Sequence, residues 1–183
     1  AFQVGKNDVA VDFITRALAI NPDDVEAHNN LGAVLQTLGK GDEAVDCYHK
    51  ALAVKPDYVE AHSNLGLSLQ ELGRLEEAVA SYQKSIALKP TFAEVYSNLS
   101  VALQQLGRLE EAVGHCYKAL AIKPNLAEVH SNLGNALRDL GKLEEAGDSY
   151  QRALAIRPDF PEALGNYGVL LLTQGGRQEA LSC

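Results

Sequence analysis

Between residues 127 and 140, the apolar side chains Val129, Leu133, Ala136, Leu137 and Leu140 fall on one stripe of a helix by the i, i+4, i+7 rule. Gly141 then interrupts the pattern, as glycine does just past a helix C-terminus. A second helical stripe follows in Ala146, Tyr150, Ala153 and Leu154. It should stop before Pro158, because the residue preceding a proline is pushed out of helical geometry. Glu144 and Glu145 open this second helix, while Arg152 and Arg157 lie toward its end, an arrangement that suits the helix dipole. Pro161 suits the first position of the next helix, where its missing N–H is not needed.

The same pattern recurs at a constant step of 34 residues. Prolines mark it at 22, 56, 90, 124 and 158, and glycines at 39, 73, 107, 141 and 175. A fixed period of this length means a stack of supersecondary units. Four complete repeats run 25–58, 59–92, 93–126 and 127–160. Residues 1–24 read as the end of an earlier repeat and residues 161–183 as the start of a later one. With no stretch patterned as a strand, the fold predicted is all-α, a right-handed α-solenoid of antiparallel helix pairs.

Small residues recur at fixed places within the repeat. Gly32, Gly66, Gly134 and Gly168 occupy place 8, where repeat three has Ser100. Ala44, Ala78, Ala112, Ala146 and Ala180 occupy place 20; Ala51, Ala119 and Ala153 occupy place 27, where repeat two has Ser85. Small side chains at matched places predict close helix–helix approach, so enlarging one should overpack the contact.

The pattern resembles the tetratricopeptide repeat family. Its hallmark places are supplied in repeat four by His130, Leu133, Gly134, Leu137, Ala146, Tyr150, Ala153 and Pro158. Repeat three departs by carrying Cys116 where the others have Tyr48, Tyr82 and Tyr150. The string Ser131-Asn132-Leu133-Gly134 and its relatives in the other repeats also resemble the superhelical repeats of O-linked N-acetylglucosamine transferase. No counterpart of that family's catalytic half is present in these 183 residues.

Place 6 is asparagine in all five first helices: Asn30, Asn64, Asn98, Asn132 and Asn166. The resemblance implies that this ladder faces a concave groove. An asparagine amide can accept from a peptide N–H and donate to a peptide C=O, and so reads main chain rather than side chains. First helices about 10 Å apart would present one amide for about every third residue of an extended ligand, and four intervals would hold roughly 12 residues. Two other origins compete with this: duplication of an ancestral unit, and bonding between neighbouring helices that fixes their stacking. Further groove candidates are Ser63, Ser97 and Ser131 at place 5, Leu67, Val101 and Asn135 at place 9, and Gln70, Gln104 and Arg138 at place 12. They predict an uncharged polar groove with an apolar patch near Leu67 and Val101. Chaperone-adaptor members of the family hold a carboxylate with Lys and Arg that are missing here from places 2, 5 and 6. Place 2 is instead Glu26, Glu60, Glu94, Glu128 and Glu162, which either favours basic peptides or serves the helix dipole.

Composition narrows the rest. Hydrophobic residues make up 46% and charged residues 22%, which excludes a disordered or collagenous chain. The net charge of −8 and the lack of a Lys/Arg cluster argue against nucleic acid as partner. The longest apolar run, Val169–Leu172, is far short of a membrane span. Cys47, Cys116 and Cys183 are odd in number and widely spaced, so free thiols are expected, in keeping with a cytoplasmic or nuclear setting. No signal peptide opens the chain, and the absence of Met suggests a piece of something longer. His28, His62 and His130 share place 4, one repeat apart, too far to share a metal. They are expected as partly buried helix-pair residues. His115-Cys116 is not expected to form a catalytic pair, because neighbours on a helix diverge.

The resulting expectation is a non-enzymatic scaffold without cofactor or metal, binding an extended protein or peptide segment. Alternatives are a substrate-recruiting arm of a glycosyltransferase whose catalysis lies elsewhere, and a structural spacer or self-assembly element. Leu170, Leu171 and Leu181 in the last unit predict exposed apolar ends that stack end to end.

Overall fold

The computed structural model describes residues 2–181 and, among them, contains ten helices and no strand. In chain order these are α1 (Phe2–Ile20), α2 (Val25–Thr37), α3 (Gly41–Val54), α4 (Val59–Glu71), α5 (Leu75–Leu88), α6 (Ala93–Gln105), α7 (Leu109–Ile122), α8 (Ala127–Asp139), α9 (Leu143–Ile156) and α10 (Pro161–Leu181). The chain divides into two compact units, Ala1–Pro90 with α1–α5 and Thr91–Cys183 with α6–α10.

Within the first unit, α2 packs on α1 and α3, α4 packs on α3 and α5, and α2 also touches α4. Within the second unit, α8 packs on α7 and α9, α10 packs on α9, and α6 and α10 both touch α8. Within each unit, first helices of adjoining repeats therefore meet directly. Among the described residues, the second helices α3 and α5 do not meet, nor do α7 and α9.

Each helix pair turns at a glycine. Gly39, Gly73, Gly107 and Gly141 have φ between 74° and 79°, a left-handed conformation that glycine adopts without a steric penalty. At Gly141 the chain closes two backbone bonds, Gly141 N–H to Arg138 C=O and Lys142 N–H to Leu137 C=O, each 2.9 Å. Two of the first helix's orphan carbonyls are satisfied in this way. Each second helix stops where the sequence says it should: Arg157, before Pro158, is extended at φ −132° and ψ 94°. Helix α10 does begin at Pro161.

Two boundaries differ from the periodic expectation. Helix α10 runs on through Gly175, and α1 runs through Gly5, instead of breaking there. In the α10 segment both leucines that flank the other turns are replaced: place 14 is Gln174 rather than Leu38, Leu72, Leu106 or Leu140, and place 17 is Arg177 rather than Leu75, Leu109 or Leu143, whereas repeat one, with Gly41 at place 17, keeps Leu38. Without apolar anchors to fold the second helix back on the first, the continuous helix keeps its hydrogen bonds.

The cores are built on the small-residue contact. A Cβ added at Gly32, Gly66 or Gly134 would lie 2.6 Å from the ring of Tyr48, Tyr82 or Tyr150 respectively, and all three tyrosines are fully buried. Place 8 is glycine because place 24 is tyrosine. Repeat three makes the paired exchange: Ser100 is larger than glycine and Cys116, 1% exposed, is smaller than tyrosine. At Gly168, among the described residues, nothing lies within 4 Å of an added Cβ. In the second unit, Ala127, Ala153, Phe160 and Ala163 join α8, α9 and α10, with the Arg157 guanidinium 4.6 Å above the Phe160 ring.

At the last unit one expectation is corrected. Leu170 is 1% exposed, because it packs inward toward α9, while Leu171 and Leu172 are 49% and 79% exposed. The side chains of Ala180 and Leu181 and the whole of Cys183 lie outside the described residues.

Candidate functional site

Asn64 on α4 and Asn132 on α8 lie on the flank of the helix that adjoins the preceding first helix. Asn64 Nδ2 donates to Asn29 Oδ1 at 3.0 Å in the first unit, and Asn132 Nδ2 donates to Ser97 Oγ at 3.3 Å in the second. In both cases place 6 reaches place 5 of the preceding first helix. A parallel rung runs from place 12 to place 13 of the next repeat: Gln36 Nε2 to Glu71 at 2.9 Å, and Gln104 Nε2 to Asp139 at 2.5 Å. These bonds stitch adjoining first helices together, the alternative that the sequence left open. Asn30 is exposed, and Asn98 and Asn166 are half-buried.

The other groove candidates divide into accessible and internally engaged groups. Ser63 and Ser97 are half-buried, whereas Ser131 is 3% exposed and belongs more to the packing than to a surface. Leu67 is exposed and Val101 half-buried; they belong to different units. Gln70 and Asn135 answer to the buried tyrosines. Tyr82 Oη donates to Gln70 Oε1 at 2.9 Å, and Tyr150 Oη donates to Asn135 Oδ1 at 2.8 Å. In repeat four, place 12 is Arg138, which has no acceptor, so the tyrosine turns to place 9 instead. Arg138 pairs with Asp139 at 3.1 Å. Sequence reasoning placed Gln70 and Asn135 among the groove residues without seeing the tyrosine hydroxyls that their amide oxygens accept from. For Gln70 the signal was there in the pairing of Tyr at place 24 with Gln at place 12 in repeats one and two; repeat four, with Arg138 at place 12, carries none for Asn135. Burial pushes the Tyr48 phenol up to about 12, and raises those of Tyr82 and Tyr150 as well.

Place-4 histidines act in the packing. His28, His62 and His130 bond through Nε2 to the carbonyls of Pro22, Pro56 and Pro124 at 2.8, 2.8 and 2.9 Å, tying each first helix to the turn before it. His62 and His130 are buried. Repeat three has Tyr96 at place 4, and His115 stacks on it with ring centroids 5.8 Å apart. Desolvation holds the His115 imidazole below the usual histidine range, and nearby Lys118 adds to this. Cys116 faces Ser100 in the core, where burial pushes its thiol up to about 11. His115 and Cys116 thus serve different contacts. Cys47 is also a buried free thiol.

The place-2 glutamates have local partners in two repeats. Glu94 meets Lys123 at 2.5 Å, and Glu128 meets Arg157. The Arg157 hydrogen bond holds the Glu128 carboxyl below the usual carboxylate range. Arg157 is therefore engaged by Glu128 and Phe160 rather than by the end of α9. No group of His, Cys, Asp and Glu among the described residues could hold a metal. No helix among them is long and apolar enough to cross a membrane.

Stacked helix pairs of this geometry, with polar rungs between first helices, define a repeat scaffold of the protein-interaction class. A tetratricopeptide repeat family profile matches residues 23–91 and 91–159, and the chain belongs to that family. Its fold is similar to that of several solved structures. The Pseudomonas aeruginosa protein pilF is 25% identical with a TM-score of 0.82, over 99% of this chain and 82% of that one. MamA is 24% identical with a TM-score of 0.79, over 85% and 91%. YrrB, described as a repeat protein with an unusual peptide-binding site, is 22% identical with a TM-score of 0.74, over 92% and 87%. A search by sequence among curated proteins finds no match.

Proposed function

We propose that this chain is a non-catalytic scaffold that holds an extended peptide segment along its first helices, with the place-6 asparagines contacting the ligand main chain. The observation that supports this is the economy of the asparagine bonds. Asn64 and Asn132 each spend one N–H on the neighbouring helix, which orients the amide and leaves its carbonyl oxygen for a peptide N–H. Asn98, Asn132 and Asn166 in the second unit span two helix intervals, room for roughly six residues of extended peptide.

The test is an array of 12–15-residue peptides probed with the wild-type chain and with Asn98→Ala/Asn166→Ala. These two positions lie outside the inter-helix bonds, so the variant should melt at the wild-type temperature. Broad loss of peptide binding by this stable variant is expected. Equal binding by both proteins, or by neither, rejects the groove.

The inter-helix bonds favour a second reading, in which the ladder only fixes stacking. In that case Asn64→Ala and Asn132→Ala lower the melting temperature while Asn98→Ala changes nothing. A recruiting arm of a glycosyltransferase is a narrower form of the first reading. It rests on the asparagine at place 6 of all five first helices, and a catalytic domain in the coding sequence beyond Cys183 would establish it.

A further inference from the structure

The second helices carry clefts that the asparagine ladder does not use. One is lined by Pro22, Asp23, His28, Lys50, Ala53 and Val54 and has a volume of about 380 Å³. Another, of about 390 Å³, lies against Asp148, Gln151, Arg152 and Ala155 of α9. Between α3 and α5, over the buried face of α4, lies a cleft of about 470 Å³, within the range of ligand-binding clefts. The repeat places coincide: Lys50, Lys84 and Arg152 share place 26, and Ala53, Ala87 and Ala155 share place 29.

The α3–α5 cleft differs from the other two in charge. Asp23 lines the first and Asp148 the second, but no carboxylate lines the third. Against the α9 cleft the sequence reason is place 22, which is Asp148 on α9 but Ala80 on α5; the acid of the first cleft, Asp23, comes instead from the turn before α2. Leu52, Leu65 and Leu88 give the cleft an apolar interior, and the exposed Lys84 stands at its rim. Among the described residues Lys84 has no ion pair, whereas Arg74, Arg108, Lys123 and Arg157 each have a carboxylate partner. An apolar cleft with an ammonium at its rim and no carboxylate in its lining is complementary to a ligand that joins an apolar side chain to a carboxylate.

We propose that this cleft docks a short acidic peptide segment. The segment inserts one aliphatic or aromatic side chain among Leu52, Leu65 and Leu88 and sets a carboxylate against the Lys84 ammonium. The proposal does not rest on the asparagine groove, which uses the first helices.

The test is fluorescence anisotropy with the full chain and the fluorescein-labelled peptide Glu-Glu-Leu-Phe-Glu-Glu. Wild type should bind it, and more weakly as salt is raised. Lys84→Glu should weaken binding about tenfold or more and should instead take up Lys-Lys-Leu-Phe-Lys-Lys. Ala80→Trp, a surface change that fills the cleft, should weaken binding comparably. Arg152→Glu and Asn98→Ala/Asn166→Ala should leave it unchanged. Failure of wild type to bind this peptide overturns the proposal. So does wild-type affinity in Lys84→Glu, or equal binding of Glu-Glu-Ala-Ala-Glu-Glu, which would mean charge alone. A dimer in sedimentation that Ala80→Trp dissociates would place a second copy in the cleft instead of a peptide, and also overturns it.

Discussion

Replacing Gly134 by alanine sets two physical effects of opposite sign against each other. Alanine in a helix interior is favoured over glycine by about 1 kcal/mol. Propensity alone therefore makes Gly134→Ala stabilising. The new Cβ, however, would sit 2.6 Å from Tyr150 Cε1 and 2.7 Å from Cδ1. The ring has nowhere to go: Tyr150 is fully buried, its hydroxyl is bonded to Asn135, and Tyr167 packs beside it with centroids 6.3 Å apart. Overpacking of this kind costs about 1–3 kcal/mol, so the net effect should be destabilising by up to about 2 kcal/mol. The larger Gly134→Leu should fall further. Gly114, in the middle of α7, supplies the control. Nothing lies within 4 Å of a Cβ built there, so Gly114→Ala should stabilise by about 0.5–1 kcal/mol. Thermal melts followed by circular dichroism should move about 2–4 °C per kcal/mol, downward for position 134 and upward for position 114. Repeat three also suggests a rescue, since it carries Ser100 and Cys116 at the same two places. Gly134→Ser combined with Tyr150→Cys should be less damaging than the sum of the two single changes. A rise in melting temperature for Gly134→Ala would refute the reasoning outright.

Two further outcomes follow from buried titratable groups. Burial and Lys118 lower the His115 pKa, so the unfolded chain takes up its proton first as pH falls. The stability from this group is complete above the free value near 6.5 and is lost as pH falls from there through the lower folded value. His115→Phe, which keeps a ring against Tyr96, should thus lose less melting temperature than wild type between pH 7.5 and 5.5; equal losses would refute the assignment. With Cys183→Ser as background, the thiols of Cys47 and Cys116 should react slowly with a disulfide reagent in the native chain and fully in urea. A pKa of about 11 leaves Cys116 with about a hundredfold less thiolate than the ordinary value of 9.0, before its inaccessibility is counted. A native Cys116 that reacts at the rate of free cysteine would overturn that burial argument.

The periodic proline, glycine and leucine positions carried the helix pairs, because each acts on its own backbone: glycine through its left-handed turn, proline through the residue before it, leucine through one helix face. The tyrosine–glycine contact was legible too, as two columns of the repeat whose sizes compensate, down to the exchange of Ser100 and Cys116. Where the apolar anchors of a turn were missing, at Gln174 and Arg177, the period alone misplaced the boundary. The polar columns were harder to read. Asn64, Gln70, Gln104 and Asn135 look alike in sequence as unspent hydrogen-bonding groups. Which of them meets a neighbouring helix and which a buried tyrosine hydroxyl depends on distances near 3 Å between residues 12 to 35 positions apart. The same holds for the α3–α5 cleft. Ala80 is only a missing aspartate along the chain, and becomes one wall of an acid-free cavity once α3, α4 and α5 are packed. Local backbone preferences and helical periodicity are properties of the chain, whereas hydrogen-bond partners and cavities belong to the space between helices, and the tertiary structure alone decides them.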